Sequence, residues 1–129
     1  MQKLSILLIL FFHVSQALEI LSCSVPSELQ KKVTVTLKQQ SDDKADYLIV
    51  QIIEPYSASV YLTQADKGEI AKSFANKNFS YFLLSDKSQN SNGVVTNAAY
   101  LSIANQSGTV AGFISAKGNI YSLVCSQEH

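Results

Sequence analysis

Arginine and tryptophan are absent from this chain of 129 residues, and histidine occurs only twice. Because all ten basic residues are lysine, the planar, bidentate capture of phosphate or carboxylate that arginine performs is not available. His13 lies in an apolar N-terminal run and His129 is the last residue, so the interior of the chain has no imidazole base for a nucleophilic serine or cysteine. Two distant cysteines and a terminal histidine also make no zinc ligand set. We therefore expect neither an enzyme nor a bound metal or other cofactor.

An excess of either charge is also lacking, because ten basic and ten acidic residues give a formal net charge of zero. This balance provides no electrostatic case for binding nucleic acid or an anionic membrane surface. Glu54 and Glu69 are the carboxylates least typical of turns, but nothing around either one marks it as half of a catalytic pair. The composition thus favours a protein partner, with a small apolar ligand as a less favoured alternative.

Only the N-terminus carries a long apolar run. Residues 1–17 combine Lys3, an apolar run over 4–14, and the small residues Ser15 and Ala17 at the spacing of a signal-peptidase site. The run is too short to cross a bilayer as a helix, which needs roughly 20 apolar residues. The sequence predicts a signal peptide over 1–17 and a single domain over 18–129, exported to the periplasm or the extracellular space. The alternative for the run is a buried N-terminal strand or helix.

The rest of the chain breaks into short runs rich in β-branched and aromatic residues, separated by turn residues. In KKVTVTLK, valine and leucine alternate with lysine and threonine, as in a strand with one buried face. The pattern predicts an all-β domain, a small antiparallel barrel or a sandwich of about eight strands. The predicted strands are EILSCSV, KKVTVTLK, DYLIVQII, SASVYLT, FSYFLL, AAYLSIA, TVAGFIS and NIYSLVC.

One segment breaks this pattern and predicts a short helix near 67–76. Ile70 and Phe74 are four residues apart, as on one helical face, and Asp66 with Glu69 three residues later matches a capping box. A further hairpin turning at Asp66, Lys67 and Gly68 is the alternative.

The only two cysteines lie in the first and last predicted strands. Cys23 shares a strand face with Leu21, and Cys125 shares one with Leu123, so both point to apolar faces. In an exported domain two such thiols predict a disulfide. Two alternatives stay open: separate buried thiols, or a lipid attached to Cys23, which would make this a membrane-tethered envelope protein.

Two features suggest a binding surface. Tyr61 shares a strand face with Ser59 and Thr63, and tyrosine is enriched at binding surfaces. The small polar residues Asn90, Ser91 and Asn92 form the centre of a predicted loop, where adaptable contacts are typical. The sequence predicts an exported module that binds or inhibits another macromolecule. The alternatives are a small-ligand carrier with a hollow, lipocalin-like barrel and the lipid-tethered protein.

The two ends of the chain, Cys23 and the closing YSLVC, resemble the small periplasmic lysozyme-inhibitor barrels. Those proteins pair a cysteine near the mature N-terminus with one in the last strand. The resemblance covers only these ends, and Tyr121 stands four residues before Cys125 where the family has tyrosine two before. It implies a closed barrel and an inhibitory role, and it assigns no residue to a site.

Overall fold

We describe the protein from a computed structural model, over residues 19–27, 32–85 and 97–128. The predicted signal peptide over 1–17 lies outside the described residues, as do the predicted loop residues Asn90, Ser91 and Asn92.

The chain forms a closed barrel of eight antiparallel strands with one short helix, which confirms the small β-barrel and decides against the sandwich. Each strand pairs with the strands before and after it in the chain, and the last strand pairs with the first. The helix lies between the fourth and fifth strands. The elements are β1 (Ile20–Ser24), β2 (Thr34–Ser41), β3 (Asp46–Glu54), β4 (Ser57–Ala65), α1 (Glu69–Asn76), β5 (Phe79–Ser85), β6 (Ala98–Gln106), β7 (Thr109–Ala116) and β8 (Asn119–Glu128).

Apolar side chains fill the barrel because successive residues of a strand point to opposite sides of the sheet. In β2, Val35 and Leu37 are fully buried, whereas Thr34 and Lys38 point outward and are exposed. An eight-stranded barrel is just wide enough for side chains to fill it. The largest fully buried side chains are Tyr61, Phe74, Phe79, Leu21, Leu37, Leu48, Ile52, Ile70, Leu83, Leu101, Ile103 and Ile114.

A disulfide fastens the seam where the barrel closes. Cys23 of β1 lies directly opposite Cys125 of β8, with their Cα atoms 3.9 Å apart, and the two sulfurs are bonded. The predicted disulfide is therefore confirmed, and the alternative of separate buried thiols is wrong. Lipid attachment at Cys23 would need the sulfur that is bonded to Cys125 here.

Helix α1 confirms the predicted helix and excludes the hairpin, but its predicted cap is wrong. The N-cap residue is Gly68, whose φ of 88° is one that glycine adopts readily, and no side chain of the segment caps the helix. Asp66 contributes its backbone carbonyl, which accepts the N–H of Glu69. The carboxylate at this position comes from β3, where Asp46 accepts the N–H of Gly68 at 2.7 Å.

The helix fills the place where β4 and β5 separate. These two strands pair only through Tyr61 with Ser85 and Leu62 with Leu84, whereas β3 and β4 pair along their full length. Ile70 and Phe74 of the helix are buried in the barrel core, and the ring of Phe74 meets that of Phe79 edge-on at 5.0 Å. The helix therefore completes the core at this end of the barrel.

Replacing both cysteines tests how much the seam contributes to stability. Because the disulfide joins residues 102 positions apart, we expect the Cys23→Ala, Cys125→Ala variant to lose up to about 4–5 kcal/mol of unfolding free energy. Urea unfolding followed by circular dichroism measures the change. Wild-type protein that has been reduced and alkylated is the control, and it should unfold near the same urea concentration. A loss below about 1 kcal/mol would contradict this account of the seam.

Candidate functional site: an uncharged aromatic face

Tyr61 does not lie on an exposed surface, which corrects its interpretation as a surface binding residue. Its side chain is fully buried and points into the barrel, opposite Val50 of β3. The tyrosine hydroxyl donates to Oδ1 of Asn97 at 3.2 Å. Ser59 and Thr63 share its face as predicted, but that face is the interior. The polar residues of β4 had suggested the opposite orientation.

A polar tie crosses the mouth of the barrel at the end away from the helix. Lys117 lies in the turn between β7 and β8, and its Nζ donates to Oε1 of Glu54 at 3.1 Å and to Oγ of Ser59 at 2.8 Å. Tyr121 donates its hydroxyl to the other carboxylate oxygen of Glu54 at 2.9 Å. Since β3 and β7 are four strands apart in a ring of eight, these bonds connect opposite walls. We call Glu54, Lys117 and Tyr121 the mouth tie.

The mouth tie favours an ionised Glu54. The hydrogen bond from Lys117 lowers the pKa of Glu54 below its ordinary value; hydrogen bonds from Tyr121 and Ser57 add to this, and partial burial opposes it. Burial, followed by the hydrogen bond to Glu54, raises the pKa of the Tyr121 hydroxyl, which stays protonated as a donor. The positive charge of Lys117 therefore balances the negative charge of Glu54 at a partly buried position.

The opposite end of the barrel holds a second carboxylate, Asp46, which is buried. It accepts the hydroxyl of Ser41 at 2.7 Å and the N–H of Gly68 at 2.7 Å, with Nζ of Lys67 3.9 Å away. These contacts hold the start of α1 against the barrel. Because Glu69 lies in that helix and Glu54 at the far mouth, the length of β3, which is roughly 27 Å for its nine residues, lies between the two ends of the barrel that hold them. They cannot act as the paired carboxylates of a glycosidase, which are at most about 9.5 Å apart.

The outer wall of β5, β6, β7 and β8 carries an unusual set of exposed apolar side chains. The rings of Phe82 and Tyr100 are 4.9 Å apart, and those of Tyr100 and Phe113 are 6.1 Å apart. Phe82 is 75% exposed and Ile120 is 68% exposed. Of the seven large hydrophobic side chains exposed among the described residues, five lie on this wall: Phe82, Leu84, Phe113, Ile120 and Val124. We call the outward side chains of β5, β6 and β7, together with those of β8 from Ile120 to Ser126, the aromatic face.

Charge is missing from the aromatic face. Strands β5, β6 and β7 contain no lysine, aspartate or glutamate, and the outward residues of β8 from Ile120 to Ser126 are likewise uncharged. Serine and alanine separate the large side chains. Depletion of charge together with exposed aromatic residues is the composition of the buried centre of a protein interface.

The pairing register arranges this face in rows across the four strands. One row runs Phe82, Tyr100, Ser115 and Ile120, each residue directly opposite the next. The neighbouring row runs Ser80, Ser102, Phe113 and Ser122.

The remaining wall of the barrel is different in chemistry. Two shallow cavities lie there. One of about 390 Å³ is lined mainly by hydroxyl groups of β1 and β2 and reaches Val124 and Ser126 at the edge of the aromatic face, and one of about 350 Å³ lies beside Tyr47 and Ile49. Neither collects several exposed aromatic rings, and the second brings together Asp42 and Tyr47, whose hydroxyl donates to the Asp42 carboxylate at 3.1 Å.

Sequence reasoning missed the aromatic face. Its strands had been interpreted one at a time, and FSYFLL places apolar residues at both alternating positions, so that neither side is marked as outer. The signal that could have found the face is the absence of charge from three successive strands.

Comparison with known proteins does not assign this chain to a family. No family model, no curated protein and no solved structure matches this chain. Within the described ranges, no helix has the length and apolar character to cross a membrane. The same residues contain no group of three or more histidine, cysteine, aspartate or glutamate side chains that could hold a metal ion.

The mouth tie predicts a pH-dependent contribution to stability. Since the pKa of Glu54 is lower in the folded protein, its stabilising effect is present above the unfolded-state pKa of about 4.3 and is lost as pH falls through the folded value. The Glu54→Gln variant should therefore lose about 1 kcal/mol or less of unfolding free energy at pH 7, because solvent screens the partly exposed ion pair of Glu54 and Lys117. The difference from wild type should shrink below pH 4.

Urea unfolding at pH 7 and at pH 3 measures both values. Asp43→Asn, at an exposed loop carboxylate of the same charge, is the matched control and should differ little from wild type at pH 7. A Glu54→Gln loss that is equally large at pH 3 would show that the tie does not depend on the ionised carboxylate.

Proposed function

We propose that this protein is an exported binding module that recognises another protein through the aromatic face. The exposure of Phe82, Phe113 and Ile120 on a wall without charge supports this most directly. Monomeric soluble proteins rarely expose contiguous apolar patches of this kind unless the patch binds something. Export follows from the predicted signal peptide, and the Cys23–Cys125 disulfide fits an oxidising compartment.

A protein partner fits this face better than a lipid, nucleic acid or small ligand. The serine hydroxyls between the aromatic rings suit an interface that keeps hydrogen bonds and water. No lysine of β5–β8 is available to meet phosphate groups. A small-ligand carrier needs an apolar cavity of roughly 300–1,000 Å³, and large side chains such as Tyr61, Phe74 and Phe79 occupy the interior.

If the partner is an enzyme, the module would inhibit it by covering its surface. The predicted loop around Asn92 lies outside the described residues, so the proposal is based on the aromatic face alone.

Site-specific photo-crosslinking in the native host tests the proposal. A benzophenone amino acid placed at Phe82 should give a light-dependent adduct of discrete mass, because this side chain is three-quarters exposed on β5, beside the ring of Tyr100. The matched control carries the same amino acid at Lys38, an exposed outward position on β2. Phe113→Ser in the Phe82-labelled protein should reduce the adduct at least tenfold, as loss of an interface hot spot would.

The proposal fails if position 82 gives no protein adduct. It also fails if positions 82 and 38 give the same adducts in the same yield, since the contact would then be non-specific.

A further inference from the structure

We infer that a second copy of this chain covers the aromatic face, in a two-fold symmetric dimer whose axis runs parallel to the strands between β6 and β7. This inference rests on the proposed use of the face for protein binding, and it names the partner. It is carried by the order of large and small side chains across the four strands.

A half-turn about that axis places each row of one subunit against the same row of its partner, with the order of the strands reversed. In the row Phe82, Tyr100, Ser115 and Ile120, reversal brings Tyr100 opposite Ser115 of the partner subunit. Phe82 then meets Ile120 of the partner subunit. A large ring therefore lies against a small residue at the centre, and two large apolar side chains meet at each side.

The neighbouring row repeats this match. Reversal of Ser80, Ser102, Phe113 and Ser122 brings Phe113 opposite Ser102 of the partner subunit. On the third row Ala104 of β6 meets Ala111 of the partner subunit. Each aromatic side chain of the two central strands is thus placed against a serine, as a self-complementary interface requires.

The lack of charge removes the usual obstacle to self-association. When a surface docks against its own copy, each charged group near the axis meets a group of the same sign. Strands β5, β6 and β7 have no charged residue, and the outward residues of β8 from Ile120 to Ser126 are uncharged, so a two-fold contact through these residues brings no like charges together.

The size of the face sets the strength of the contact. Four strands about 4.8 Å apart and seven to ten residues long outline roughly 500 Å² per subunit. A standard stable interface buries about 800 Å² on each partner, and a barrel wall is convex. We therefore expect a reversible dimer with a dissociation constant on the order of 10 µM or higher.

Sedimentation equilibrium of the purified exported protein, from about 1 µM to about 1 mM, tests the inference. The wild type should shift from monomer to dimer across this range and stop at the dimer. Ser102→Glu and Ser115→Glu should each weaken association at least tenfold, because each carboxylate would lose its water against an aromatic ring of the other subunit. Thr36→Glu is the control: it adds the same charge at a half-buried hydroxyl on the outer wall of β2 and should associate like wild type.

A wild type that stays monomeric up to 1 mM would overturn the inference. So would a dimer that survives Ser102→Glu and Ser115→Glu, or one that Thr36→Glu weakens equally, because the contact would then lie elsewhere on the barrel.

The two proposals fail in distinguishable ways. If position 82 crosslinks to a protein of different mass while the purified protein is monomeric, the face binds a partner but the partner is not a second copy. An adduct at twice the monomer mass, together with the sedimentation result, supports both. If no adduct forms and the protein is monomeric, both are wrong.

Discussion

Pairing of the first strand with the last is the constraint on which the rest of this structure depends. Once β8 lies against β1, every described strand has two hydrogen-bonded neighbours, and among the described strands the pairing is interrupted where β4 and β5 separate beside α1. The Cys23–Cys125 disulfide holds this closure at a directly opposed pair of residues. A closed wall can bind another protein only through its outward side chains. Under the proposed function, the chemistry of those side chains therefore decides where a partner docks.

Closure also determines what the interior can do. Eight strands enclose an interior just wide enough for the side chains that point into it. The rings of Tyr61, Phe74 and Phe79 occupy much of that space. Helix α1 completes the core where β4 and β5 separate, and the mouth tie connects opposite walls at the far end. These contacts use the interior for stability, which favours an outer surface as the functional part of the molecule.

Local patterns in the sequence predicted the strands, the short helix and the disulfide. Alternation and helical spacing are visible within a few residues, and two cysteines allow only one pairing. Contacts between distant segments were not predictable in this way. The predicted cap of α1 is wrong because the carboxylate at the start of the helix belongs to Asp46, which lies in β3, 22 residues before Gly68. Tyr61 was placed outside because Ser59 and Thr63 gave its face a polar appearance. The aromatic face escaped notice because Phe82, Tyr100 and Phe113 meet only through the register of three strands.

Solubility gives an independent reason to expect that the aromatic face is covered. A formal net charge of zero provides no long-range repulsion between copies, and Phe82 and Ile120 stand exposed on the same wall. Both properties favour association between copies. An unsymmetrical contact between two different patches would leave one of each free and could extend into a filament. A two-fold contact uses the same patch on both copies and is complete at two, so it covers the exposed rings without leaving an apolar surface for further growth.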